Sequence, residues 1–112
     1  MELVVTEHVI RVVVVAPQER IDAVNAPQLR QKLHALLDDG AANLVVDLSE
    51  VPFMDSAGMA VLVSALKRAR VGGGDVKLVW PQAEPARRIL NLTRLDRVFG
   101  MADSAADAVK EF

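Results

Sequence analysis

The chain contains no cysteine, which excludes disulfides, thiolate catalysis and Cys-based zinc sites. Its two histidines, His8 and His34, have no metal-ligand spacing, so neither a metal nor a cofactor is expected. Aromatic residues make up only 4% of the sequence, so the core must be built from Val, Leu, Ala, Ile and Met. No uncharged apolar run approaches the roughly 18 residues a membrane span needs, and membrane insertion is not expected. There is no excess of basic charge either: 13 Lys and Arg stand against 15 Asp and Glu. A phosphodiester backbone calls for a basic stripe, so direct nucleic-acid binding is not expected. The opening Met1-Glu2-Leu3 lacks the basic region of a secretory signal, and a cytoplasmic location is the default.

What is present is an apolar, regularly punctuated chain. At 112 residues and 52% hydrophobic, it suits one domain spanning 1–112 with a self-sufficient core. Leu3 to Thr6 and Val9 to Val15 are rich in β-branched residues, with Glu7-His8 between them as a two-residue turn, and read as a β-hairpin. Val12 to Val15 is apolar on both faces, as in a strand covered from both sides. After a loop from Pro17 to Arg20, Asp22 or Asn25 can cap a first helix with Pro27 in its first turn. Leu29, Leu33, Leu36 and Leu37 fall on one face of that helix, and Gly40 ends it.

Leu44 to Leu48 reads as a central strand, and Pro52 breaks the link that follows. A second helix runs from about Ser56 to Arg70, with Met59, Leu62, Val63 and Leu66 as its core stripe and Lys67, Arg68 and Arg70 suiting its dipole. Gly72-Gly73-Gly74 is a plain loop. Val76 to Trp80 is a further strand, Pro85 to Leu92 a short helix, and Asp103 to Phe112 a last helix packed through Ala105, Ala108 and Val109. Between these, Leu95, Val98 and Phe99 add an edge strand or simply close the core. The order implies a single α/β domain: a mixed sheet of four to five strands opening with a hairpin, with about four helices on it.

One segment carries chemistry. Met54-Asp55-Ser56-Ala57-Gly58 leads into the second helix, and Ser56 falls at its N-cap. There its hydroxyl can bond a free backbone N–H of the first turn, and a cap needs no further role. The same helix end, with its unpaired N–H groups and positive dipole, also tolerates a phosphate. A phosphoserine would add about −1.5 to −2 charges beside Asp55, among the methionines Met54 and Met59. A partner packed on that patch would be repelled.

Nucleophilic catalysis by Ser56 would need an adjacent base. His8 lies in the hairpin turn and His34 on the polar side of the first helix, and Gly-x-Ser-x-Gly is absent, so an enzyme is not expected. Asp47, at the end of a strand, is placed like the phospho-acceptor of a response-regulator receiver. The acidic pair after the first strand and the late Lys of a receiver are both missing. A small nucleotide- or ligand-binding module using the helix N-terminus is a further alternative.

Phe53-Met54-Asp55-Ser56-Ala57-Gly58-Met59-Ala60-Val61-Leu62 resembles the signature segment of STAS domains, the fold of bacterial anti-sigma-factor antagonists. The resemblance extends through the opening hairpin, Arg20-Ile21-Asp22, Asn25-Ala26, Val45-Val46-Asp47-Leu48 and Leu95-Asp96-Arg97-Val98-Phe99. It implies a partner-switching protein. The unphosphorylated chain binds an anti-sigma factor with serine kinase activity and frees a sigma factor. Phosphorylation of Ser56 breaks the complex, and a serine phosphatase restores it. It further implies that Asp22 lies beside Ser56, that Asp55 and Gly58 support the turn, and that Asn25, Phe53, Met54 and Met59 rim the partner interface. Many members carry Ser or Thr after the signature serine; Ala57 here leaves Ser56 as the single acceptor in the turn. The alternative within the family is a non-switching subunit of a membrane transport or stress-signalling complex. A monomer or weak dimer is compatible with either.

Overall fold

The computed structural model describes residues 1–7, 11–41 and 43–112. These hold five strands, β1 (Leu3–Glu7), β2 (Val12–Pro17), β3 (Asn43–Asp47), β4 (Asp75–Val79) and β5 (Gly100–Ala102), joined in that order in one sheet. β1 runs antiparallel to β2, and the other neighbours are parallel. Five helices connect or cover them: α1 (Ala26–Asp38), α2 (Ser56–Val71), α3 (Glu84–Leu92), α4 (Leu95–Val98) and α5 (Ala105–Lys110). This is the expected mixed α/β sheet opening on an antiparallel pair. Glu7, expected in the turn, is the last residue of β1 and pairs with Val13; His8 lies outside the described residues.

The strands' alternation of side chains divides the core in two. Val13, Val15, Leu44, Val46, Val76 and Leu78 face α1, α2 and α3 on one side of the sheet, where Leu29, Leu33, Leu62, Leu66 and Leu90 bury against them. Val12, Val14, Val45 and Val79 face the other way, against Ala102 and Ala108. Val12 to Val15 is therefore buried on both faces, as its composition predicts.

Three expectations need correction. The buried stripe of α2 is Gly58, Val61, Leu62, Ala65, Leu66 and Ala69, so Met59 and Val63 flank the core rather than fill it. Small residues let α2 lie close to the sheet, and a stripe chosen by side-chain size points slightly to the wrong side. Leu95 and Phe99 do close the core, but they belong to α4 and its exit; Val98 is exposed. The edge strand lies downstream, where Gly100–Ala102 pairs with Lys77, Leu78 and Val79. The last helix is shorter than expected, beginning at Ala105 because the Ser104 hydroxyl accepts from the Asp107 N–H and caps it there.

α1 and α2 pack side by side, and two polar contacts cross between them. His34 Nε2 and Ser64 Oγ are hydrogen bonded at 3.0 Å, and Arg68 pairs with Asp38. Desolvation, then the charges of Arg30 and Arg68, hold the His34 imidazole below its ordinary value of 6.5, with Asp38 opposing them. The unfolded chain therefore takes up a proton at His34 before the folded one does. His34 makes stability fall as the pH drops through 6.5, and the loss levels off once the folded imidazole is protonated too. Urea unfolding at about pH 7.5 and about pH 5.5 is expected to show a smaller acid-induced loss for His34→Gln than for the parent chain.

Candidate functional site

β2 and β3 are parallel neighbours, so the loops that leave their carboxyl ends lie side by side. The loop after β2 leads to α1 and the loop after β3 to α2. They are stitched together by backbone bonds: the Ile21 N–H donates to the Phe53 carbonyl at 3.0 Å, and the Asp55 N–H donates to the Ile21 carbonyl at 3.1 Å. Ile21 and Met54 form an isolated parallel bridge. Both side chains are fully buried, so the stitch has an apolar underside.

Asp55 completes it. One carboxylate oxygen accepts from the N–H groups of Ala57 at 2.9 Å and Gly58 at 3.2 Å. The other accepts from the Ala23 N–H at 3.2 Å, across in the first loop. Asp55 is thus the N-cap of α2, and Ser56, expected to be the cap, is its first helical residue. Aspartate and serine are both good N-caps, and here Asp55, which also reaches the Ala23 N–H of the neighbouring loop, holds the position. Ser56 is left with an exposed side chain and no structural duty at the helix end. Two first-turn N–H groups expected to be open to a phosphate are already held by the Asp55 carboxylate.

The first loop is ordered by its own side chains. Asp22 Oδ1 accepts from the N–H groups of Val24 at 2.9 Å and Asn25 at 3.3 Å, an Asx turn. Asn25 stands at the N-cap of α1 without capping it. Its Oδ1 accepts from the Asp22 N–H at 2.9 Å, and its Nδ2 donates to the Arg20 carbonyl at 2.7 Å and to Glu19 at 2.9 Å. That bond, then one from the Glu2 N–H, lowers the Glu19 carboxyl below its ordinary range. Arg20 pairs with Asp22 at 3.0 Å.

The profile of the STAS domain matches residues 2–108. The chain belongs to the STAS family.

Relatives in the family are 30–33% identical to it over the aligned stretch. The anti-sigma-B factor antagonist of Bacillus subtilis is 33% identical over 90 residues, 80% of this chain and 81% of that protein. The anti-sigma-F factor antagonist RsfB of Mycobacterium tuberculosis is 30% identical, over 80% of this chain and 71% of its own length. The crystal structure of an anti-sigma factor antagonist from Mycobacterium paratuberculosis is 32% identical and superposes with a TM-score of 0.87, covering 98% of this chain and 92% of that one.

Within this STAS fold, the loops bring Asp22, Asn25, Phe53, Asp55, Ser56 and Gly58 to one end of the molecule. Phe53 is 41% exposed, Asn25 and Met59 are half-buried, but Met54 is fully buried. Met54 therefore holds α2 from beneath and offers no surface for a rim. Sequence reasoning passed over Val24, which is 86% exposed at the tip of the first loop. A single valine among Ala23 and Asn25 carries no periodic signal; its exposure follows from the Asx turn that Asp22 builds under it.

Gly58 is required by packing. A Cβ there would lie 2.6 Å from Met54 Cγ and 2.9 Å from Ile21 Cγ2, both on buried side chains. Gly58→Ala is expected to destabilise by about 1–3 kcal/mol through overpacking. Asp55→Ala should cost about 2 kcal/mol, at the upper end for a lost cap, since it also frees the Ala23 N–H. Asp55→Asn, which keeps an acceptor oxygen, should lose less than Asp55→Ala. Urea denaturation of the three variants checks the order.

Proposed function

We propose that this chain is a cytoplasmic anti-sigma-factor antagonist whose Ser56 is a phosphorylation switch, not a catalytic nucleophile. The observation that carries the reading is the exposure of Ser56 at the start of α2, relieved of the capping role by Asp55. A kinase needs a hydroxyl it can reach, and one that bonds nothing essential can be modified without loosening the helix. The names of the relatives support the antagonist part of the reading. A hydrolytic role has little support: the described histidine, His34, bonds Ser64 two turns along α2.

In this reading the unphosphorylated surface docks an anti-sigma factor that is also a serine kinase, and a serine phosphatase reverses the modification. Phe53 and Val24 are the apolar contacts, Asn25 and Met59 flank them, and Asp22 and Asp55 hold the two loops in register. A phosphate on Ser56 adds about −1.5 to −2 charges next to Asp55, whose own charge already occupies helix N–H groups. Separation of the complex then follows from repulsion and from the cost of drying a phosphorylated rim.

Incubation with the cognate anti-sigma factor and ATP should add one phosphate, located by mass spectrometry on the Ser56 peptide. In calorimetry, Ser56→Ala should bind that factor, with or without ATP, as tightly as the unphosphorylated parent does, while Ser56→Asp should bind at least tenfold more weakly, roughly 1.4 kcal/mol. Equal binding by Ser56→Asp and the parent would end the switch reading. Val24→Asp should weaken binding by a similar factor with unchanged thermal stability, as an exposed contact does.

A further inference from the structure

The charges of the chain are unevenly placed. Residues 67–97 hold eight Lys and Arg against three Asp and Glu, while the rest of the chain holds five against twelve. A near-neutral total thus conceals a basic segment, made of the end of α2, β4, α3 and α4. Several of these cations are spoken for: Arg68 pairs with Asp38, Arg70 with Asp75, and Arg87 lies over the Trp80 ring. Lys67, Arg88, Arg94 and Arg97 are exposed and have no ion-pair partner among the described residues.

An open groove runs along α2 beside this segment. Met59, Ala60 and Val63 give it an apolar floor, Ser56 lies within its lining, and so does Lys67. Thr93 and Leu95 form the facing wall, with Arg94 between them in sequence. Arg70 reaches across to donate to the Val98 carbonyl at 3.4 Å, which joins the basic end of α2 to α4. Leu92 is 70% exposed and Val98 45% exposed on this same α3–α4 segment. From Ser56 to Lys67 the groove spans eleven helical steps, about 16 Å at 1.5 Å each. That is the length of three helical turns.

We infer that this groove takes an acidic amphipathic helix of the protein partner, apolar on one face and carrying Asp or Glu on its flanks. The apolar floor suits the apolar face of an incoming helix, and Lys67 in the lining, with Arg94 and Arg97 exposed on the α3–α4 segment that walls it, suits acidic flanks. The inference rests on the partner-binding reading above and names the chemistry of the partner's contact. It also extends the docking surface from the loop tips along α2, continuous with Ser56. A second copy of this chain is disfavoured as occupant, because the apolar face of α1 is already buried through Leu29 and Leu33 and its exposed side carries Arg30 and Lys32.

The test uses the full chain and two stapled peptides of three to four turns. Both carry Leu and Ile at helical anchor spacing; one is flanked by Glu and its twin by Lys. In heteronuclear NMR titrations, the Glu peptide is expected to shift the amides of Met59, Val63, Lys67 and Leu95, and the Lys twin to leave them unmoved. Lys67→Glu combined with Arg97→Glu should weaken the Glu peptide about tenfold, and should weaken the anti-sigma factor as well. Equal binding of both peptides, shifts confined to another surface, or no shift at all would overturn the inference. Shifts at Met59 and Val63 on simple concentration of the free chain would overturn it in favour of a second copy. The switch reading fails separately, if Ser56→Asp binds the anti-sigma factor like the parent. A double charge reversal that leaves that complex intact, while Ser56→Asp breaks it, removes the groove and keeps the switch.

Discussion

One carboxylate organises the working end of this molecule. Asp55 accepts from two N–H groups at the start of α2 and from one in the loop before α1. Bonds to a charged acceptor are stronger than neutral ones, and here they bind elements far apart in sequence. The sheet alone would leave these two loops as independent excursions from parallel strands. The Asp55 bridge, with the Ile21 backbone bonds on either side of it, makes them one surface.

The bridge holds only if α2 can approach the first loop, and that depends on what lies beneath. Met54 and Ile21 fill the space under the turn without exposure, and Gly58 leaves no Cβ to push them apart. Asp55 and Gly58 therefore answer to one geometric demand, one by pulling the loops together and the other by leaving room. Ser56, between them, answers to none. It is the one side chain of the Asp55–Gly58 turn that can change chemically with little effect on the fold, which is the property a modification site needs.

Most of the architecture was legible because it rests on local signals. The β-branched run Val12–Val15, the Leu29 and Leu33 spacing, Pro27 and Gly40 mark elements through burial, periodicity and backbone freedom, and each lies where expected. The site was legible as a segment but not in its division of labour. Asp55 and Ser56 are both competent caps, and the choice between them was made by the Ala23 N–H, a partner more than thirty positions away. Met54 reads as a surface methionine beside a polar turn until the Ile21 bridge places it inside. The edge strand was misplaced because Gly100–Ala102 has no strand character of its own; it is recruited by the free edge of β4. Val24 was invisible because an exposed apolar side chain is a fact of loop shape, not of pattern.

The capping arrangement also changes how a charge at Ser56 would act. An open helix N-terminus would draw a phosphate in and stabilise it, and the modified surface could then reorganise around it. Here a carboxylate already holds the Ala57 and Gly58 N–H groups, and Asp22 and Glu19 lie in the adjoining loop, with Arg20 as the nearby cation paired to Asp22. Like charges so close interact within a Debye length, about 8 Å at physiological salt, where screening is incomplete. On the proposed reading, a phosphate on Ser56 would stand outward and hydrated at the end of the groove lined by Met59, Val63 and Leu95. The fold would have no reason to change, and in the proposed switch the partner would lose a dry contact. Such a modification would, on that reading, act on the complex alone and leave the chain folded.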